Sequence, residues 1–278
     1  MFCAVFGLVL AMTVNGCSTA SRAGGSADDG GPEVTRDVRT LGVLGDSISL
    51  GVNACAQPGE CPAASWVLGS DPAVDSLANR IARQTGRRPK IANGAVSGGT
   101  VASLEQTVGT VVAAKPQLVT ILIGANDACT ANVAAMTGAD EFRSTYAKVL
   151  DAVLHGVPDA RVLALSVPNL YRLSRLGQES PEVRGAWSQL GICGSLMAGA
   201  GAGSGAPQGA GVRQRVDDYN RAIAELCAAR PRCIGDGGAV HAQSFTESEL
   251  SDIDFFHPSR AGQRRLAQIA WAALAKAS

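Results

Sequence analysis

Leu41-Gly42-Val43-Leu44-Gly45-Asp46-Ser47-Ile48-Ser49 is an apolar run that stops abruptly at Gly-Asp-Ser. A short apolar stretch ended by turn chemistry reads as a buried strand, Leu41–Leu44, feeding a turn. Similar runs recur at Lys90–Ala92, Leu118–Ile123, Arg161–Ser166 and Cys233–Ile234. Between them lie helical patterns at about Asp75–Thr85, Val101–Ala113, Glu141–Leu154 and Val216–Ala229, and a last helix is expected over Arg260–Ala275. Parallel strands need crossover connections, and strands alternating with helices supply them. The fold class is therefore α/β, a three-layer α/β/α sandwich around a central, mostly parallel sheet.

In such sheets, ligands bind outside the carboxyl ends of the strands. Ser47 follows the first strand, and Gly98 follows the second within Asn93-Gly94-Ala95-Val96-Ser97-Gly98-Gly99-Thr100. Asn126 follows the third, within Gly124-Ala125-Asn126-Asp127. A serine hydroxyl is a poor nucleophile until a base takes its proton. Of the 3 histidines, His155, His241 and His257, only His257 has a carboxylate three residues before it, in Asp254-Phe255-Phe256-His257-Pro258. Asp254 can accept from the ring Nδ1–H and leave Nε2 free for the serine proton. Pro258 suits the first position of the last helix. His241 is the alternative base, and His155 reads as a surface residue at a helix end. Asp46 reads as a brace for the turn and Asp127 as a brace for its loop. Ser49 falls inside the helical segment after Ser47.

Taken in order, Gly45-Asp46-Ser47, Gly98, Gly124-Ala125-Asn126-Asp127 and Asp254-Phe255-Phe256-His257 resemble the four blocks of the SGNH hydrolases, the GDSL esterase and lipase superfamily. The resemblance runs from about Leu41 to Ala275. It implies the flavodoxin-like SGNH hydrolase fold, with Ser47 as nucleophile, His257 as base and Asp254 as its orienting carboxylate. It further implies an oxyanion hole built from the Ser47 N–H, the Gly98 N–H and the Asn126 side chain. Gly99 is the alternative to Gly98. No metal and no organic cofactor is implied. Competing motifs are absent from the sequence: there is no G-x-S-x-G elbow, no G-x-x-x-x-G-K-S/T and no H-E-x-x-H.

At 278 residues the chain can build a substantial core, and its 24 basic and 24 acidic residues leave no net field to recruit nucleic acid. Residues 1–17 read as a signal peptide, apolar from Met1 to Val14 and ending Asn15-Gly16-Cys17. A cysteine after a small residue there resembles a bacterial lipoprotein signal, with Cys17 carrying the lipid and tethering the protein to a membrane. An ordinary secretory signal, with Cys17 incidental, is the alternative. Residues 18–37, rich in Ser, Gly, Ala and Asp, form the expected flexible linker, and residues 38–278 the hydrolase domain.

Of the 8 cysteines, Cys3 and Cys17 fall in the leader. The even remainder behind an export signal reads as disulfides. Cys55 lies near Cys61 and Cys227 near Cys233, which leaves Cys129 with Cys193. The sequential pairing also resembles secreted bacterial SGNH esterases with three disulfides. A zinc site is the alternative, disfavoured because no C-x-x-C occurs. Residues 198–212 are too rich in glycine for helix or strand. They read as a surface loop within an insertion from about Tyr171 to Arg215, a movable rim over an acyl groove.

The expected protein is an exported, monomeric serine esterase or lipase acting on small-molecule or lipid esters through an acyl-Ser47 intermediate. The alternatives are a carbohydrate O-acetylesterase or acyltransferase of the same fold, and a non-catalytic glycan- or partner-binding lipoprotein.

Overall fold

In the computed structural model, the structure describes residues 1–2, 31–197 and 209–277. Residues 3–30, which include most of the expected signal segment, Cys17 and the expected linker up to residue 30, and residues 198–208 of the Gly-rich stretch lie outside the described residues. Five strands, β1 (Thr40–Gly45), β2 (Lys90–Asn93), β3 (Leu118–Leu122), β4 (Arg161–Ala164) and β5 (Cys233–Gly235), form one sheet. All pair in parallel, in the order β2-β1-β3-β4-β5. This is the doubly wound order whose switch point falls between β1 and β3. β1 and β3 are almost wholly buried, which is why they read as apolar runs apart from Thr40 and Thr120.

The helices follow from that order. Right-handed crossovers place α1 (Leu77–Thr85), on the β1-to-β2 step, opposite α2 (Val101–Ala113), on the reversed step to β3. α4 (Ala139–Gly156) and α8 (Ala210–Ala228) connect in the same sense as α2 and pack with it as one layer. α10 (Arg260–Lys276) returns to pack on α1 as the other. One-turn helices α3 (Ala125–Ala128), α7 (Gly194–Met197) and α9 (Ala239–Ala242) complete the set with α5 (Leu170–Glu179) and α6 (Pro181–Leu190). Phe142 of α4 stacks on Tyr219 of α8 at 4.0 Å between ring centroids, closing the core beneath β3 and β4.

Several sequence expectations need correction. The insertion from Tyr171 to Arg215, for which no helix was expected, folds into α5, α6 and α7 where it is described. α6 carries clear end signals: Ser180 accepts from the Val183 N–H, Pro181 opens the helix and Gly191 closes it in the left-handed region. α8 starts at Ala210, inside the stretch expected to be loop, because Val212, Val216, Tyr219 and Ile223 form one buried stripe. Pro258 is not the first residue of α10. Ser259 caps that helix by accepting from the Gly262 N–H, and Pro258 lies just before it. Ser49 sits in a succession of turns rather than in a helix, its N–H donating to the Asp46 carbonyl.

The six cysteines among the described residues form disulfides, Cys55–Cys61, Cys129–Cys193 and Cys227–Cys233, so none of these six is left to hold zinc. The second of them ties the segment before α7 to the end of α3.

Candidate active site

The turn after β1 puts Ser47 at the carboxyl edge of the sheet, and the loop before α10 brings His257 to it. The Ser47 Oγ lies 2.9 Å from His257 Nε2, and His257 Nδ1 lies 2.5 Å from Asp254 Oδ2. A carboxylate can only accept, so Nδ1 carries the proton and Nε2 is left to accept from the Ser47 hydroxyl. Asp254 is almost fully enclosed, with 2% of its surface exposed. Its Oδ1 accepts from the backbone N–H groups of Phe256 and His257 at 2.9 and 3.0 Å. Burial alone would raise this carboxyl, but His257 and the two amides outweigh it and hold it below the usual carboxylate range. It therefore stays ionised beside the imidazole.

Asp46 plays a different part. Its Oδ1 accepts from the Ile48 N–H at 2.9 Å and so shapes the turn, as the sequence suggests. Its Oδ2 is buried without a partner among the described residues. Burial pushes this carboxyl up to about 7, against the pull of the Ile48 amide and His257.

Gly98, after β2, and Asn126, after β3, come from the strands on either side of β1. Gly98 lies at φ +71°, a left-handed conformation that glycine adopts without cost. The Gly99 N–H is spent on the Val96 carbonyl, at 2.9 Å. Neither the Ser47 N–H nor the Gly98 N–H has an acceptor among the described residues. Asn126 is half-buried, and one of its side-chain N–H groups donates to the Gly99 carbonyl at 2.9 Å. That bond fixes the amide plane and leaves its second N–H available. Asp127, buried, accepts from the Val101 N–H at 2.9 Å and the Thr137 hydroxyl at 2.8 Å, bracing the loop against α2.

The other two histidines lie elsewhere. His241, the alternative base, has its ring against Asn220, the Val167 carbonyl and Asp217, with no bond to Ser47. His155 is exposed at the end of α4.

Beside His257 opens a cavity of about 180 Å³, walled by Ile48, Ala125, Leu170, Leu173, Phe245 and Phe256. Two further side chains touch Asp254 and carry no motif in the sequence. Asn53 Nδ2 donates to Asp254 Oδ2 at 2.6 Å, and Trp187 Nε1 of α6 donates to the Asp254 carbonyl at 3.0 Å. The local signal for Asn53 is its place in a turn at φ +56°, a conformation asparagine tolerates. Nothing local marks Trp187.

No curated protein matches the chain. Among solved structures, the chain is similar to the lipase/acylhydrolase from Enterococcus faecalis, with 20% identity, TM-score 0.53 and coverage of 86% of this chain and 96% of that one. It is also similar to the extracellular lipase from Streptomyces rimosus, with 20% identity, TM-score 0.50 and coverage of 86% and 99%. A family two carbohydrate esterase from Clostridium thermocellum gives 15% identity and TM-score 0.51, over 84% of this chain and 62% of that one. At these identities the likeness concerns the fold. The sequence model of the GDSL-like lipase/acylhydrolase family matches residues 43–265, and the chain belongs to that family.

Proposed function

We propose that the chain is an exported serine esterase whose Ser47 is acylated by esters of medium-length acids. The observation that carries this reading is the unbroken chain from Ser47 Oγ through the His257 ring to the Asp254 carboxylate. Ser47 attacks the ester carbonyl as His257 Nε2 takes its proton, and Asp254 stabilises the imidazolium. The oxyanion rests on the N–H groups of Ser47 and Gly98 and on the free N–H of Asn126. His257 then gives its proton to the departing alcohol. Water, activated in turn by His257, releases the acid and restores Ser47.

The apolar cavity beside His257 supports the acyl length. A dry cavity of roughly 150 Å³ accepts a six-carbon ring, so about 180 Å³ suits a tail of six to eight carbons. Three disulfides and the apolar segment before Cys17 support export, with lipid on Cys17 as the tether and residues 38–278 as the catalytic domain. The test is a panel of nitrophenyl esters from acetyl to lauroyl, with acetylated xylan alongside. kcat/KM should peak near hexanoyl to octanoyl, and Ser47→Ala should abolish turnover with a folding transition within about 1 kcal/mol of the parent. Turnover retained by purified Ser47→Ala would overturn the nucleophile. Acetylated xylan as the best substrate would overturn the medium-chain assignment in favour of an O-acetylesterase.

A further inference from the structure

Asp254 Oδ2 accepts two hydrogen bonds at once, from His257 Nδ1 at 2.5 Å and from Asn53 Nδ2 at 2.6 Å. Asn53 lies 201 residues before Asp254, on the loop that follows Ser47. Its own placement is over-determined. The Asn53 N–H donates to the Gly59 carbonyl at 2.8 Å, and the Gly59 N–H donates back to Asn53 Oδ1 at 2.8 Å. The Asn53 carbonyl accepts from the Ser251 hydroxyl at 2.6 Å, which ties the loop to the segment carrying Asp254. Since Oδ1 must face the Gly59 donor, the amide can point only its NH₂ at the carboxylate. The Cys55–Cys61 disulfide closes the loop on which Gly59 sits.

We propose that Asn53 is a positioning residue of the hydrolytic reaction, holding the Asp254 carboxylate in the plane of the His257 ring and offsetting part of its charge. The proposal rests on the assignment of Ser47, His257 and Asp254 given above. Two donors converging on one oxygen fix its direction, and the backbone amides on Oδ1 fix the other end, so the carboxylate cannot swing when the imidazole becomes charged. Partial neutralisation by Asn53 also limits how firmly Asp254 retains a proton on the imidazole, which a base must be free of at the start of each cycle.

Two variants separate this role from a merely structural one. Asn53→Gly accepts φ +56° without strain and removes the donor. Asn53→Asp keeps an oxygen for the Gly59 N–H and also tolerates that backbone, but once ionised it cannot donate to Asp254. Each is assayed as the full-length, disulfide-bonded protein on a nitrophenyl ester that the parent hydrolyses. A fluorophosphonate reporting Ser47 reactivity independently of ester choice is used in parallel. At pH 8, kcat should fall about tenfold or more, as for a lost hydrogen bond to a charged group, with KM within about twofold. Phosphonylation of Ser47 should slow in parallel. The acid limb of the kcat/KM profile should move to higher pH in both variants, and further in Asn53→Asp, where a like charge adds to the effect. An unmoved acid limb overturns the proposal, whether kcat is unchanged or falls only in step with the melting temperature. If Ser47 of the parent protein is labelled while both variants behave like it, only the Asn53 role is lost. If the parent is neither labelled nor active, the catalytic assignment falls with it.

Discussion

Asp46→Asn tests whether the carboxyl beside Ser47 is held neutral by its surroundings. The side chain is fully enclosed, Oδ1 is engaged by the Ile48 N–H and Oδ2 has no partner among the described residues. Burial raises its pKa from 3.8 to about 7, so between those values the folded chain binds a proton that the unfolded chain releases. The sign follows directly: the contribution of this group to stability is present at low pH and is lost as pH rises towards 7. With about 1.4 kcal/mol per pH unit, the loss between pH 4 and pH 8 comes to roughly 3–4 kcal/mol. Asparagine preserves the acceptor for Ile48 and has no proton to lose. Urea unfolding of both proteins at pH 4 and pH 8 isolates this group, because every other carboxyl is common to the pair. The stability of Asp46→Asn relative to the parent should improve by roughly 3–4 kcal/mol between the two pH values. A difference that stays constant within about 0.5 kcal/mol would show that Asp46 is already ionised in the folded state, and the reasoning from burial would fail. Asp127, raised to about 6 mainly by burial, remains in both proteins.

Asn126→Ala should lower kcat by roughly 10²–10³ with little change in KM, the usual loss for one oxyanion donor, and a change confined to KM would assign Asn126 to ground-state binding. Thiol labelling of unfolded protein made in an oxidising compartment should find no free thiol among the three pairs. Replacing both Cys129 and Cys193 by alanine should cost about 4 kcal/mol, against about 2 kcal/mol for either short loop, since their sequence separations are 64 and 6. Equal costs measured by urea unfolding would refute the loop-length argument.

The sheet was legible because a parallel strand buried on both faces is largely apolar along its length, and β1, β3 and β4 leave that trace apart from Thr40, Thr120 and Arg161. Placing Ser47, Gly98 and Asn126 after the first, second and third strands then put all three at the carboxyl edge of the sheet without any contact being known. Asp254 and His257 were legible for a related reason: three residues apart, they meet within one turn, and Phe255 at φ +52° shapes that turn. Helices α5 to α7 were missed although Ser180-Pro181 and Gly191 bracket α6 as clearly as any pair of ends in the chain. The neighbouring Ala-Gly run dominated the composition of the window and masked those local signals.

The residues around Asp254 show a harder limit. Asn53 and Trp187 contact it from positions 201 and 67 residues earlier in the sequence, and each is an ordinary turn or core residue by its local pattern. Such contacts are created by the fold and leave no periodicity or motif to read. They also show what the described part of the insertion does, although residues 198–208, most of the stretch expected to form a movable rim, lie outside the described residues. Trp187 of α6 donates to the Asp254 carbonyl, and Cys193 is bonded to Cys129 at the end of the Asn126 helix. The described part of the insertion therefore braces both the carboxylate behind His257 and the loop that presents Asn126. Residues 170–197 belong to the scaffold of the site.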